Sequence, residues 1–511
     1  MSGSSTPRPA RTLPPVPNLE QQRKQARELL ESARARDAEA LERFRTRHPR
    51  GASLTESAER AFKLSEAQLV IAREYGFPSW PKLKAHIEAV AAARQTRPFV
   101  RELSYYDDRA RGLLAIVPDG IPHAIEQVRS WHPRFSASSD DEIRTSALTL
   151  DDARLIYARQ HGFESWGALA AYLTRLANGS TPDPFMAVFE AGRAKDWSRV
   201  STVLTRHPDV VRARGTNGNT LLNLASSLIA CPAPNAGGAE DPAEAAERLA
   251  PMRLLISAGA DVDQANDRGW TPLHQAGYRN DPGMAELLLA SGARIDLEAH
   301  GSGGTPLAAA LFWGHREAAE VLAAAGVVPT NLRIAAGLGR ADLVHACFGA
   351  DGRLTPGAKA ARGFYRPHSG FPAWRPSEDE QEVLDEALVW AAKSDRVEAM
   401  PLLVERGARV DADPYRGTPL AWASYKGRVA AARWLLDHGA DIDQRGTFGG
   451  PGHGAGVTAL HLAAQNDNPE MIRFLLSRGA DRTIRDDLYS ATPAGWAEYG
   501  GAKEALAALT E

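Results

Sequence analysis

The chain has 511 residues and a formal net charge of -3, with hydrophobic residues at 43% and charged residues at 24%. That length exceeds one ordinary core, so several domains or a repeat array are expected, and the charge excludes the basic excess that a nucleic-acid binder needs for phosphates. Only two cysteines occur, Cys231 and Cys347, far apart in sequence, which excludes a disulfide scaffold and a cysteine zinc site and fits a reducing, cytoplasmic compartment.

Residues 1–18, MSGSSTPRPARTLPPVPN, are rich in Ser, Pro and Arg and lack an apolar run. They read as a disordered tail and not as a signal peptide. No run of eighteen apolar residues occurs, so no membrane span is expected. Residues 19–178 read as a duplicated helical region, with units at about 19–95 and 103–178. FKLSEAQLVIAREYGFPSWPKLKAHIE (62–88) aligns with LTLDDARLIYARQHGFESWGALAAYLT (148–174) at an offset of 86, pairing Leu64 with Leu150, Gly76 with Gly162 and Trp80 with Trp166. Upstream, His48-Pro49-Arg50 pairs with His132-Pro133-Arg134 at an offset of 84. Each unit predicts a helical hairpin, a loop, a helix ending at Gly-Phe-x-Ser-Trp, and a final helix capped by Ser79 or Ser165. Trp80 and Trp166 read as core anchors.

From residue 183 the pattern changes. Thr271-Pro272-Leu273-His274 returns as Thr305-Pro306-Leu307-Ala308, Thr418-Pro419-Leu420-Ala421, Thr458-Ala459-Leu460-His461 and Thr492-Pro493-Ala494-Gly495. Thr271 to Thr305 and Thr458 to Thr492 are both 34 residues. Gly259-Ala260-Asp261, Gly439-Ala440-Asp441 and Gly479-Ala480-Asp481 each follow an apolar pair such as Leu435-Leu436. Thr caps a helix, and Pro at the first helical position gives up only an N–H that had no partner. Small Ala residues let neighbouring helices stack, and Gly ends the second helix in the left-handed conformation. Each unit leaves an apolar face that only the next unit covers.

The tetrapeptide and its period resemble the ankyrin-repeat family, and residues 183–511 read as its solenoid. The resemblance implies an all-α helix-turn-helix array with short β-hairpin fingers. It further implies a protein-binding scaffold whose concave groove and finger tips carry the contacts. The region ahead of the repeats looks like that found before ankyrin repeats in many bacterial proteins, with no activity attached to it. Insertions are expected at 231–247, 351–380 and 446–456. The second carries Phe364, Tyr365, Phe371 and Trp374 and is expected to pack on the scaffold. Two further units keep only Ala335-Ala336 and Ala391-Ala392 of the pattern.

Catalytic motifs are absent: the sequence holds no phosphate-binding GxxxxGK[ST] loop, no HExxH and no GxSxG. The glycine-rich stretch 446–456 lacks an internal basic residue and reads as a long hairpin. His274, His461 and His315 read as hydrogen-bonding members of the repeat, not metal ligands. No catalytic residue, metal, cofactor, nucleic acid or membrane partner is expected, and the partner is a protein. Counting from each Thr to the end of the first helix gives Tyr278, Arg279, Phe312, Trp313, Tyr425, Lys426 and Tyr499. The finger positions add Arg268, Trp270, Tyr415 and Arg416. Aromatic and Arg side chains commonly carry interface energy, so these residues are the expected contact surface. A competing reading has the rings simply packing on one another. The alternative function is a ligand-sensing or enzyme-like site built by the inserted loops, especially 351–380.

Overall fold

The computed structural model describes residues 19–51, 62–84, 87, 96–98, 100–136, 138–178, 183–231, 240–326, 328–364, 376–414, 416–448 and 454–511. The expected tail 1–18 lies outside them. None of the described helices is long and apolar enough to cross a membrane. The chain divides into two compact units, Met1–Leu221 and Leu222–Glu511.

In the first unit the duplication is visible atom by atom. Gly76 and Gly162 both end their helices at φ +83°. The next amide closes the turn identically, Phe77 N–H to the Ala72 carbonyl and Phe163 N–H to the Ala158 carbonyl, each at 2.9 Å. His48 Nδ1 accepts from the Arg50 amide and His132 Nδ1 from the Arg134 amide, both at 3.2 Å. The opposite ring nitrogen faces the third residue of the helix that follows, Glu66 at 3.8 Å and Asp152 at 3.0 Å. Those carboxylates also close capping boxes on Leu64–Glu74 and Leu150–Gln160. Ser165 Oγ caps the helix Trp166–Ala177 by accepting from the Ala168 amide at 3.2 Å. Each copy has its own core. Phe44 stacks on Phe62 at 4.0 Å beside Ile71 and Leu83, while Ile125, Val128, Ile143 and Ile156 fill the second. Trp80 and Trp166 are half-buried at the margins of these cores.

Helices Pro184–Arg193 and Trp197–Arg206 fall within this first unit, whereas the sequence pattern places the start of the solenoid at 183. Long-range bonds tie this segment to the region ahead of it. Strand Thr96–Arg97 runs parallel to Arg214–Gly215, Tyr106 Oη lies 2.8 Å from Thr216 Oγ1, and Asn217 donates to Tyr105 Oη at 2.8 Å. Arg214–Gly215 belongs to the finger ahead of Thr220, where the Gly215 amide donates to the Asn219 carbonyl, but its strand partner Thr96–Arg97 comes from outside the repeats and runs parallel to it.

The second unit stacks helix pairs. First and second helices are Pro272–Tyr278 with Pro282–Ala290, Pro306–Phe312 with Arg316–Ala324, and Leu332–Leu338 with Ala341–Ala346. Glu380–Lys393 pairs with Met400–Glu405, Pro419–Tyr425 with Val429–Asp437, Ala459–Gln465 with Pro469–Ser477, and Pro493–Gly500 with Lys503–Thr510. Thr271, Thr305, Thr418 and Thr492 each accept from an amide of the first turn, and Asn331 and Asp379 do the same where the Thr is lost. Gly259, Gly407, Gly439 and Gly479 end second helices at φ between +89° and +103°. Successive repeats are also clasped by side chains. Asn280, Asp395 and Asp467 sit at positive φ in the interhelix turn, where each accepts the amide of the next repeat's second helix, Ala318, Ala431 and Ala505, at 2.7–3.1 Å. Leu288, Leu435 and Leu475 are fully buried, and one core cluster runs unbroken from Leu332 to Leu509.

The insertions differ in part from expectation. In 231–247 the segment from Pro242 to Arg248 is a helix capped by Asp241, because Asp-Pro starts a helix as well as it ends a loop. Within 351–380, Pro356–Lys359 forms one helical turn and Phe364 is buried; Tyr365, Phe371 and Trp374 lie outside the described residues. The stretch 446–456 begins and ends in an antiparallel pair, Gly446–Thr447 with Ala455–Val457, and Phe448 anchors it in the interior.

Candidate functional site

Several first helices of this unit end in large side chains, among them Tyr278, Phe312 and Tyr425. The row and the finger residues meet in a connected chain of rings. Trp270 lies 6.2 Å from Tyr278, Tyr278 lies 5.8 Å from Trp313, and Trp313 lies 5.3 Å from Phe312. Phe312 reaches Phe364 at 5.4 Å, Trp390 at 6.3 Å and Trp422 at 6.4 Å. Trp422 continues to Tyr425 at 5.9 Å, and both touch Phe448 at 4.9 Å. Most pairs are edge-to-face, the arrangement favoured by ring quadrupoles.

Two lysines are set into this chain. Lys393 is buried, with Nζ 4.5 Å from the Trp390 ring, 4.7 Å from Phe312 and 4.8 Å from Trp422. Burial pushes its pKa well below the usual lysine value. Lys426 is half-buried between Tyr425 at 5.6 Å and Trp313 at 5.9 Å. Burial, with nearby Arg428, lowers it to about 8. Beneath them Glu386 receives both Arg333 at 2.8 Å and Arg362 at 2.6 Å.

The sequence-derived surface is therefore brought together in part. Trp270, Tyr278, Arg279, Trp313, Tyr425 and Lys426 are half-buried, and Arg268 is exposed. Phe312 and Arg416 need correction as contact residues: at 3% and 8% exposure both are buried, Phe312 because four rings enclose it. Tyr415 lies outside the described residues. Tyr499, in the last repeat, is fully open to solvent. Sequence reasoning missed Trp390, Lys393, Trp422 and Phe448. Trp390 precedes Lys393, and Trp422 precedes Tyr425, by three residues, one helical turn, and that spacing was the available signal.

The histidines have structural partners. His274 Nδ1 lies 2.8 Å from Thr271 Oγ1 and its Nε2 donates to the Gly304 carbonyl at 2.8 Å, so the ring ties one repeat to the next finger. His461 repeats this with Thr458 and the Ala491 carbonyl, and His315 Nδ1 donates to the Gly277 carbonyl. Burial lowers His274 and His315 to about 4, which keeps both rings neutral. Cys347 is buried and its thiol is pushed up to about 11, the opposite of an activated nucleophile.

A family profile described as "Ankyrin repeats (3 copies)" matches residues 243–333 and 375–446, and one described as "Ankyrin repeats (many copies)" matches 420–476. Those residues are ankyrin repeats, and the fold is the all-helical repeat solenoid. The chain is 39% identical over 101 residues to human "Ankyrin repeat and SOCS box protein 16", covering 20% of each protein. It is 42% identical over 45 residues to human "Protein phosphatase 1 regulatory subunit 27", covering 9% of this chain and 29% of that protein. The alignments thus span less than a third of either relative's length. Among solved structures, the human ASB11 ankyrin repeat domain is 23% identical, covering 53% of this chain and 97% of that one, with a TM-score of 0.24.

Proposed function

Proceeding from these ankyrin repeats, we propose that the chain is a non-catalytic cytoplasmic scaffold that holds a protein partner on its first-helix row and finger tips. The observation that carries the reading is the half-buried series Trp270, Tyr278 and Trp313, to which half-buried Tyr425 is joined through the buried rings of Phe312 and Trp422. Rings left part-open along the ends of stacked helices offer large apolar area at little cost in side-chain freedom, the usual composition of an interface hot spot. The polar groups beside them support the same reading. Among the described residues, His274, His315, His461, Glu386 and Asp395 are engaged in structural hydrogen bonds. One matched relative is, by its name, a protein phosphatase 1 regulatory subunit, which supports a non-catalytic reading. The cytoplasmic placement rests on the two separated cysteines, and the bacterial likeness of residues 19–178 rests on their duplicated motif.

Site-specific photocrosslinking in native host lysate tests the proposal. A crosslinking residue in place of Tyr278 or Trp313 is expected to trap a discrete protein partner, whereas the same residue at Arg253, exposed on the helix Ala250–Ser257, is not. Equal trapping at all three positions would overturn the assignment of the surface.

A further inference from the structure

We propose that the first-helix row is selective for an acidic segment of its partner, with one partner carboxylate paired to Lys426 between the Trp313 and Tyr425 rings. The inference rests on the docking reading above and adds its chemistry.

The argument begins with how this unit treats its other cations. Arg248 is bound by Glu240 at 2.6 Å and Asp281 at 2.5 Å, and Arg409 by Asp385 at 2.6 Å. Arg478 pairs with Asp437 at 2.6 Å and Arg473 with Glu511 at 2.8 Å. The first-helix row is treated differently. Lys393 and Lys426 lie over rings, and among the described residues neither has a carboxylate within ion-pair distance. Arg428 donates to two carbonyls, of Gly314 at 2.9 Å and Lys393 at 3.3 Å, and Arg279 donates to the Ser227 carbonyl at 2.9 Å. Rings and carbonyls solvate a cation without cancelling its charge.

The acids nearby are already committed. Glu386 is shared by Arg333 and Arg362, Glu320 holds Arg396, and Glu317 accepts from Asn280. Asp395 accepts the Ala431 amide. Glu317 and Asp395, hydrogen-bonded by neutral groups, keep their charge beside Arg428, so the unmet cation of the row is Lys426, set against low-dielectric ring walls that focus its field outward. Of these cations Lys426 combines partial exposure with rings on either side, so an incoming side chain meets an ammonium group flanked by apolar surface. Buried or half-buried cations gain most from a counter-charge that arrives with its own apolar surroundings.

A carboxylate suits the geometry better than a phosphoryl group. Phosphate recognition favours clustered guanidinium forks, and here Arg428 and Arg279 spend theirs on carbonyls, leaving a point-charge ammonium as the accessible cation. The chain's net charge of -3 also gives polyanions no general attraction.

The test is selection of a displayed random twelve-residue peptide library on the full chain, followed by affinity measurement of the selected peptides. They are expected to share one Asp or Glu beside apolar residues, and the amide version of that residue is expected to bind at least tenfold more weakly. On Lys426→Met, acid and amide peptides are expected to bind alike, while Lys426→Arg retains the preference; melting curves confirm that both variants are folded. Acidic peptides that bind Lys426→Met as tightly as the parent overturn the proposal. So do peptides lost on Trp313→Ala that share no acidic position, which would leave the docking reading standing. An empty selection, or peptides indifferent to both Trp313 and Lys426, counts against both readings.

Discussion

Both units of this chain are built by duplication, yet they join their copies differently. In the first unit each copy of about 85 residues closes around its own core, Phe44 with Phe62 in one and Ile125 with Ile156 in the other. In the second, each repeat of about 34 residues is too small to enclose a core, and one apolar cluster runs through successive repeats from Leu332 to Leu509. The difference follows from copy length. An 85-residue copy has enough helices to cover its own apolar faces, while a two-helix copy leaves one face bare. Side-chain clasps follow the same division: the His–carboxylate pair of the first unit works within a copy, whereas His274 and Asp395 bond to the next repeat.

The largest expected effect tests this contrast directly. Leu435→Ala should cost roughly 2–5 kcal/mol, from lost transfer energy and the cavity left behind. Hydrogen exchange should rise in the repeats on both sides of it. Ile156→Ala, of similar cost, should raise exchange only within 103–178. Spread of the second effect into the 19–84 core, or confinement of the first to one repeat, would break the comparison.

Acid comes next. His274 is neutral when folded, with its pKa lowered to about 4 by burial, against about 6.5 when unfolded. Below 6.5 the unfolded chain binds the extra proton first, so stability is complete above that pH and falls as pH drops towards 4. The loss approaches roughly 3 kcal/mol for this residue. His461, lowered in the same direction, adds to it. Denaturant titrations at pH 7 and pH 5 should show it, and His274→Gln should flatten the dependence. An unchanged slope would mean that His274 titrates normally.

A smaller effect isolates one clasp. Asp467→Gly keeps the left-handed turn, φ +49° in the parent, but removes the acceptor of the Ala505 amide. A loss of about 1 kcal/mol is expected, read as earlier melting of the last repeat. Smallest of all should be Lys393→Met. Replacing a buried cation that lacks a carboxylate with an apolar chain of similar size should leave stability unchanged or slightly raised. A loss above about 2 kcal/mol would show that the ring cage needs its ammonium group.

Much of this was legible in the residues. The Thr caps, Pro starts, terminal glycines and Leu pairs are local rules, and they hold at Thr271, Thr305, Thr418 and Gly439 as the pattern requires. The paired His-Pro-Arg turns were equally visible. What the pattern did not carry was contact between repeats. Phe312, Lys393 and Trp422 are distant in sequence, and their convergence depends on how closely intervening helices stack. For the same reason the sequence assigned Phe312 to the surface, although three other rings cover it along with Trp313. The Thr96–Arg97 pairing with Arg214–Gly215 is likewise nonlocal, so periodicity gives no sign of it.

The central claim is that the part-open rings serve recognition and not merely packing. Melting temperature and partner affinity measured on the same two variants, Trp313→Ala and Tyr425→Ala, test it most directly. The account predicts near-native melting with partner binding lost in both. Stability reduced by more than about 2 kcal/mol with binding intact would contradict it and assign the rings to the core.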